Sequence, residues 1–348
     1  MTESKTSVTF DEIRKILTHL PDANSEAESA ARARQQHLTK PPGSLGRLED
    51  LAIWMAAWQG RAEPELTRPR VAVFAANHGV AFNHKVSAYP AEVTAQMVQN
   101  FLNHGAAVNQ ISDSVDAQLR VYEMALEHPT NAFPPAPPWR RRLRPSHGHG
   151  MMAVDEGVHL LALGEMGIGN TTSASALCCA LFGGKVTDWV GAGTGIDQEG
   201  RRRKIQVIEA GLASNADDLA DPLSCLRRLG GYELAAIVGA ILAARMARIP
   251  VLLDGFVCTA AAATLHRLSP HSLDHCLVAH RSVEPGHSRL IEILGKTPLF
   301  DFSMRLGEAS GAALAIPILR AAVACHNGMA TFEQAGVSGP ADESRETA

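Results

Sequence analysis

Short apolar runs recur through the middle of the chain, and each ends in a cluster of small or polar residues. Residues 70–76 lead into Asn77-His78-Gly79-Val80, and residues 158–163 into Gly164-Glu165-Met166-Gly167-Ile168-Gly169-Asn170-Thr171-Thr172. Residues 186–190 lead into Gly191-Ala192-Gly193-Thr194-Gly195, and residues 249–253 into Asp254-Gly255-Phe256. Residues 276–279 lead into His280-Arg281-Ser282-Val283-Glu284-Pro285-Gly286-His287, and residues 118–124 are a further candidate. Apolar runs this short, bounded by turn residues, read as buried strands. Helical spacing fills most of the intervals, at 91–101, 173–181, 234–247 and 312–325, the last with Pro317 inside it, where a kink is expected. Alternating β and α segments predict an α/β fold: a Rossmann-like, mostly parallel, doubly wound sheet flanked by helices. Ligands of such sheets bind outside the carboxyl ends of the strands, so these loops should converge on one crevice.

The first 60 residues differ. Helical spacing starts at Phe10-Asp11-Glu12-Ile13, again over 25–38, and again over 48–59. Lys40-Pro41-Pro42-Gly43-Ser44-Leu45-Gly46 interrupts it, and no strand candidate occurs there.

The loop after 158–163 is the most informative stretch. Strand, glycine turn and helix start present backbone N–H groups to an anion. Gly167 and Gly169 permit close approach, and Thr171, Thr172 and Ser173 can cap the helix or donate to a phosphate. Glu165 is a carboxylate beside that anion site, which a purely structural turn does not need. A second carboxylate, Glu308 in Met304-Arg305-Leu306-Gly307-Glu308, falls where the helix 312–325 begins and is favourable to its dipole.

Composition mainly excludes. The 348 residues carry 46% apolar and 20% charged side chains with a formal net charge of −4, a soluble globular profile without a basic footprint for nucleic acid. Arg140-Arg141-Arg142 and Arg201-Arg202-Arg203-Lys204 are local clusters. Six scattered cysteines without a C-x-x-C pair, and a polar start without a signal core, point to the cytoplasm. The most apolar stretch, 234–247, is too short for a membrane span. His147-Gly148-His149 has metal-like spacing, but a loop of this composition favours solvated histidines, and no metal is expected. Leu294-Gly295-Lys296-Thr297 lacks the first glycine of a Walker A loop, because position 290 is Leu. Gly191-Ala192-Gly193-Thr194-Gly195 has Ile196 where a dinucleotide fingerprint needs glycine, and Gly167-Ile168-Gly169 has Thr172 at the corresponding place. The loops suit a mononucleotide phosphate rather than NAD or ATP.

Taken together, the ordered motifs resemble one family, the nicotinate-nucleotide–dimethylbenzimidazole phosphoribosyltransferases of cobalamin biosynthesis, the CobT family. The resemblance rests on Lys40-Pro41-Pro42-Gly43-Ser44-Leu45-Gly46-Arg47-Leu48-Glu49, Asn77-His78-Gly79-Val80 and Val86-Ser87-Ala88-Tyr89-Pro90 through Thr94-Ala95-Gln96-Met97. It continues through 164–172, 191–197, Ser282-Val283-Glu284-Pro285-Gly286-His287 and 305–311. Asn77 stands where the family often has Asp, and the loop 128–150 is longer and richer in proline.

The resemblance implies transfer of ribose 5-phosphate from nicotinate mononucleotide to 5,6-dimethylbenzimidazole, with inversion at the anomeric carbon and no metal or organic cofactor. It also implies a homodimer, a large α/β catalytic domain (61–325) and a small helical domain from both chain ends (1–60 and 326–348). Nicotinate leaves as a neutral-ring pyridine from a cationic pyridinium and needs no acid, whereas the incoming benzimidazole must lose a proton. By the family motif, Glu308 is the general base, with Glu165 assisting in the same site. Ser87, Tyr89, Gln96 and Leu306 are expected around the benzimidazole. Gly167, Gly169, Asn170, Thr171, Gly193, Lys204 and Ser282 are expected on the nucleotide side. Two other classes fit the same pattern: a non-catalytic nucleotide or azole binder, and another phosphoribosyltransferase or nucleotide hydrolase. The two acidic loop residues favour an enzyme, since a binder of an anionic nucleotide gains little from them.

Overall fold

The computed structural model describes residues 10–130, 148 and 150–339. Five strands form one parallel sheet: β1 (Pro69–Ala75), β2 (Gln118–Glu123), β3 (Leu160–Met166), β4 (Val251–Leu253) and β5 (Cys276–Val278), in the order β2-β1-β3-β4-β5. All residues of β1 and β3 are buried, as expected when helices cover both faces of a parallel sheet. The chain steps outward from β1 to β2, then returns to pair β3 with the other side of β1. This reversal opens a crevice at the carboxyl ends of β1 and β3. The expected doubly wound parallel sheet is therefore present.

Register decides which side chains meet at that edge. Phe74 pairs with Glu165, Leu163 with Leu253, and Leu253 with Val278. Glu165 is still within β3, while Asp254 directly follows β4 and His280 lies two residues past β5. Beneath them Leu161, Leu163, Val251 and Leu253 pack with Leu177, Ile237, Ile241 and Ala260 in one apolar core.

Three local expectations need correction. Residues 186–190 are not a strand: Val186–Asp188 is a 3₁₀ turn. Asp188 accepts the Lys185 N–H at 3.1 Å and turns the chain, while Trp189 is buried with its indole N–H on the Gly183 carbonyl at 2.9 Å. The apolar residues there serve helix packing rather than pairing. β3 runs on to Met166, so Gly164 and Glu165 are strand residues, and the following helix, Asn170–Phe182, begins before Ser173. The helix Ser310–Gly328, which contains Pro317, begins before residue 312, and Glu308 precedes it in a left-handed turn.

The chain divides into two compact units, Met1–Pro21 with Arg68–Ala315, and Asp22–Thr67 with Ile316–Ala348. The first holds the sheet. In the second, the motif at 40–49 is held by a buried ion pair, Lys40 to Glu49 at 2.8 Å. Glu49 also accepts the N–H groups of Leu45 and Gly43. Arg34 donates to the carbonyls of His326, Asn327 and Met329, satisfying the last turn of the 310–328 helix. No helix among the described residues is long and apolar enough to cross a membrane.

Candidate active site

Glu308 is presented by an unusual piece of backbone. Gly307, Glu308 and Ala309 all have positive φ, 83°, 61° and 60°. Two consecutive non-glycine residues in that region cost roughly 1–2 kcal/mol each, so the surroundings must hold them there. The Glu308 N–H donates to the Glu165 carbonyl at 3.1 Å, which ties the turn to the end of β3. Gly164 lies directly beneath: a Cβ there would sit 2.1 Å from the Ala309 nitrogen. Glycine is required at 164 by this approach and not by its own φ.

Glu308 is 5% exposed, and its carboxyl makes no hydrogen bond among the described residues. Burial, reinforced by the nearby Asp254 carboxylate, raises its pKa to about 7. A carboxylate so poised, with vacant acceptor sites, suits a general base. Glu165 is buried too, but its Oε2 accepts from the Asn170 side chain. Burial first, then the carboxylates of Glu233 and Asp254, push its pKa well above the usual carboxylate value. The two glutamates thus share an edge but not an environment, and Glu308 has the freer acceptor.

A second buried group is built around Lys204, which is fully buried on the helix Gln198–Ser214. Its ammonium donates to Thr171 Oγ1 at 2.6 Å. One of its three donors is used within the described chain, which leaves two for a ligand. Burial lowers its pKa to about 8, against the attraction of Glu284. Gly193 adopts φ 53° beside this pair, and a Cβ there would lie 2.9 Å from Thr171 Oγ1 and 3.3 Å from Lys204 Nζ. Glu284 accepts the Gly193 N–H at 2.8 Å, and the Glu284 N–H points to Ser282 Oγ at 3.4 Å. Lys204, Thr171, Gly193 and Ser282 are therefore one connected group. Gly167 lies against the Ala76 carbonyl and His78, and Gly169 caps the 170–182 helix with φ 95°.

The other candidates are brought together less completely. Ser87 Oγ meets Thr194 Oγ1 at 3.0 Å, and the Ala88 N–H reaches the same oxygen at 2.9 Å, joining the 87–89 segment to the 191–195 loop. Arg305 donates to the Gly193 carbonyl at 3.1 Å, which brings the segment carrying Leu306 beside that loop. Tyr89 and Leu306 are 56% and 55% exposed, so both offer apolar surface to a ligand. Gln96 lies on the exposed side of the helix Val93–Leu102 and bonds to none of the other candidates. That helix is joined to the glycine turn through Thr94, whose hydroxyl accepts the Ile168 N–H at 3.0 Å. Asn77 donates to the Leu126 carbonyl, and His147 and His149 lie outside the described residues, as do most of 128–150.

Several buried polar residues of this edge have no role in the sequence reading. His78 bridges Ser173, at 3.0 Å, and the Glu233 carboxylate, in the layer behind the glycine turn. Asp254 and His280 stand at the ends of β4 and β5, and Glu284 at the start of the helix Pro285–Ile293. In the sequence Asp254 and His280 are marked only by following a strand and Glu284 only by lying in the 282–287 motif, since their partners are far away in the chain.

Comparison with known proteins shows the family of the whole chain. A family model described as phosphoribosyltransferase matches residues 20–337. The nicotinate-nucleotide–dimethylbenzimidazole phosphoribosyltransferase of Allorhizobium ampelinum is 54% identical over 336 residues, 96% of this chain and 98% of that protein. Its namesake from Rhizobium etli is 54% identical over 337 residues, 97% and 99% of the two chains. The chain belongs to the CobT family. The crystal structure of CobT from Thermus thermophilus aligns with a TM-score of 0.79 at 42% identity, covering 90% of this chain and all of that one. As a CobT family member the chain is an enzyme of the phosphoribosyltransferase class, and the matched region contains Glu165, Gly193, Lys204, Ser282 and Glu308.

Proposed function

We propose that the chain transfers the ribosyl phosphate of nicotinate mononucleotide to 5,6-dimethylbenzimidazole, with Glu308 as general base. One benzimidazole nitrogen attacks C1′ while the C1′–N bond to nicotinate breaks and its electron pair returns to the pyridine ring. The proton on the other benzimidazole nitrogen passes to Glu308. The products are α-ribazole 5′-phosphate, inverted at C1′, and nicotinate. The observation that carries this reading is the Glu308 carboxyl: buried, raised to about 7, and without a hydrogen bond inside the described chain.

Lys204, Thr171, Gly193 and Ser282 hold the 5′-phosphate and ribose in this reading, with Gly167, Gly169 and Asn170 shaping the turn beside them. Ser87, Tyr89, Gln96 and Leu306 face the benzimidazole. Glu165 assists by shaping the pocket beside the base. The enzyme works as a homodimer in the cytoplasm, where its six unpaired cysteines stay reduced. The direct assay is turnover of nicotinate mononucleotide with dimethylbenzimidazole in EDTA, with α-ribazole phosphate as the expected product. Turnover that EDTA abolishes and Mg²⁺ restores would favour a metal-dependent phosphoribosyl transfer instead.

A further inference from the structure

The helix Ser310–Gly328 starts directly after the turn that carries Glu308, and its first N–H groups need acceptors. Ser310 N–H donates to the Gly307 carbonyl at 3.0 Å, and its hydroxyl donates to the same oxygen at 2.7 Å. The Ala312 N–H is served from across the sheet, by Asp254 Oδ1 at 2.9 Å. Asp254 is 1% exposed, at the end of β4, and its other oxygen has no partner among the described residues. His280, from the end of β5, brings Nε2 to 3.6 Å from Asp254 Oδ1 and packs against Gly311, where a Cβ would lie 2.1 Å from the ring. The backbone of Asp254 is fixed as well, its N–H donating to the Leu163 carbonyl at 3.2 Å. A buried aspartate thus spans 58 residues of sequence to hold the helix start behind the base.

We propose that Asp254 is a positioning residue of the reaction: it fixes the Glu308 turn through the Ala312 N–H and sets a second buried carboxyl behind the base. The inference rests on the reading of Glu308 as the base. The other groups on this edge do not replace Asp254. Glu165 faces the turn from β3, and Glu233 reaches Glu165 from the helix Tyr232–Met246 while engaged with His78. Cys258 lies near Asp254 on the helix Phe256–Leu268 but donates to the Leu163 carbonyl at 3.3 Å. Arg305, on the same loop as Glu308, donates away from it to Gly193. Among the described residues, His280 is the one basic side chain within 4 Å of the Asp254 carboxylate.

Asp254→Asn separates the two contributions, because the amide oxygen can still accept from Ala312 while the charge is gone. The measurement is the single-turnover rate at saturating substrates against pH, for wild type, Glu308→Gln and Asp254→Asn. Wild type should lose rate below about pH 7, and Glu308→Gln should lack that acid limb. In Asp254→Asn the limb should move to lower pH by on the order of one pH unit, with the high-pH rate less affected than in Glu308→Gln. Asp254→Ser, which also loses the reach to Ala312, should shift the limb and lower the rate at every pH. An acid limb that survives in Glu308→Gln refutes the base assignment. A limb that belongs to Glu308 but stays in place in both folded Asp254 variants overturns the positioning role alone. Failure of both Asp254 variants to fold would overturn it too, by assigning Asp254 to the scaffold.

Discussion

At the scale of single residues, the site is defined by ionisable groups moved from their ordinary behaviour. Glu308 titrates near 7 in the fold against an ordinary value of 4.5, because burial and Asp254 disfavour its charge. The folded value is the higher, so its contribution to stability is full below about pH 4.5 and is lost as pH rises through about 7. Glu308→Gln, which resembles the protonated carboxyl, should therefore exceed wild type in stability at about pH 8 by roughly 2–3 kcal/mol and match it near pH 4.5. Chemical denaturation at the two pH values checks this, and a variant less stable than wild type at high pH would contradict it. A helix-dipole role alone gives the opposite sign. Lys204 gives the second residue-scale test. Lys204→Met keeps much of the volume but removes the two donors left for an anion. KM for nicotinate mononucleotide should rise roughly 10- to 100-fold, with little change for the riboside that lacks the phosphate. Equal effects on both substrates would place the lysine elsewhere.

At the scale of elements, the left-handed turn at 307–309 rests on β3 through Gly164. Gly164→Ala would drive a Cβ into the Ala309 backbone. It should cost roughly 1–3 kcal/mol and lower kcat more than it raises KM for the mononucleotide. Gly328→Ala is the control, since nothing lies within 4 Å of a Cβ there and its φ is ordinary. Thermal unfolding and steady-state kinetics of the two variants make the comparison, and an unaffected Gly164→Ala enzyme would show that the turn does not depend on β3. Much of this architecture was legible in the sequence, because parallel strands buried on both faces must be apolar and their loops must turn. The runs read at 70–76 and 158–163 fall on β1 and β3 for that reason, whereas the run at 118–124 falls on β2, an edge strand that is only partly buried. Residues 186–190 misled because Val186, Trp189 and Val190 are buried without pairing, and Gly164-Glu165 hid the true end of β3. Glu308 and Lys204 could be picked out by chemical type and motif. Asp254 could not, because its partner Ala312 is distant in sequence and the link is a single side chain to a backbone N–H.

At the scale of the whole molecule, the parallel sheet brings the Lys204 group proposed to hold phosphate and the Glu308 carboxyl proposed as base to one edge, and the 305–308 segment connects them through Arg305 and Gly193. The homodimer is tested by light scattering at micromolar concentration, where a monomer mass would contradict it. Phosphate recognition is tested by substrate choice: nicotinate riboside should have a much lower kcat/KM than the mononucleotide, and equal values would refute the assignment of the glycine loops. The central claim is that this edge performs base-assisted phosphoribosyl transfer through Glu308, and its most direct measurement is α-ribazole phosphate formation by Glu308→Gln beside Glu165→Gln. The Glu308 variant should stay folded, bind nicotinate mononucleotide nearly as wild type does, and lose kcat by roughly 10²- to 10⁴-fold, with a smaller loss for Glu165→Gln. A folded Glu308→Gln enzyme with near wild-type kcat between about pH 6 and 9 would contradict the account, and a dead Glu165→Gln enzyme beside it would move the base to Glu165.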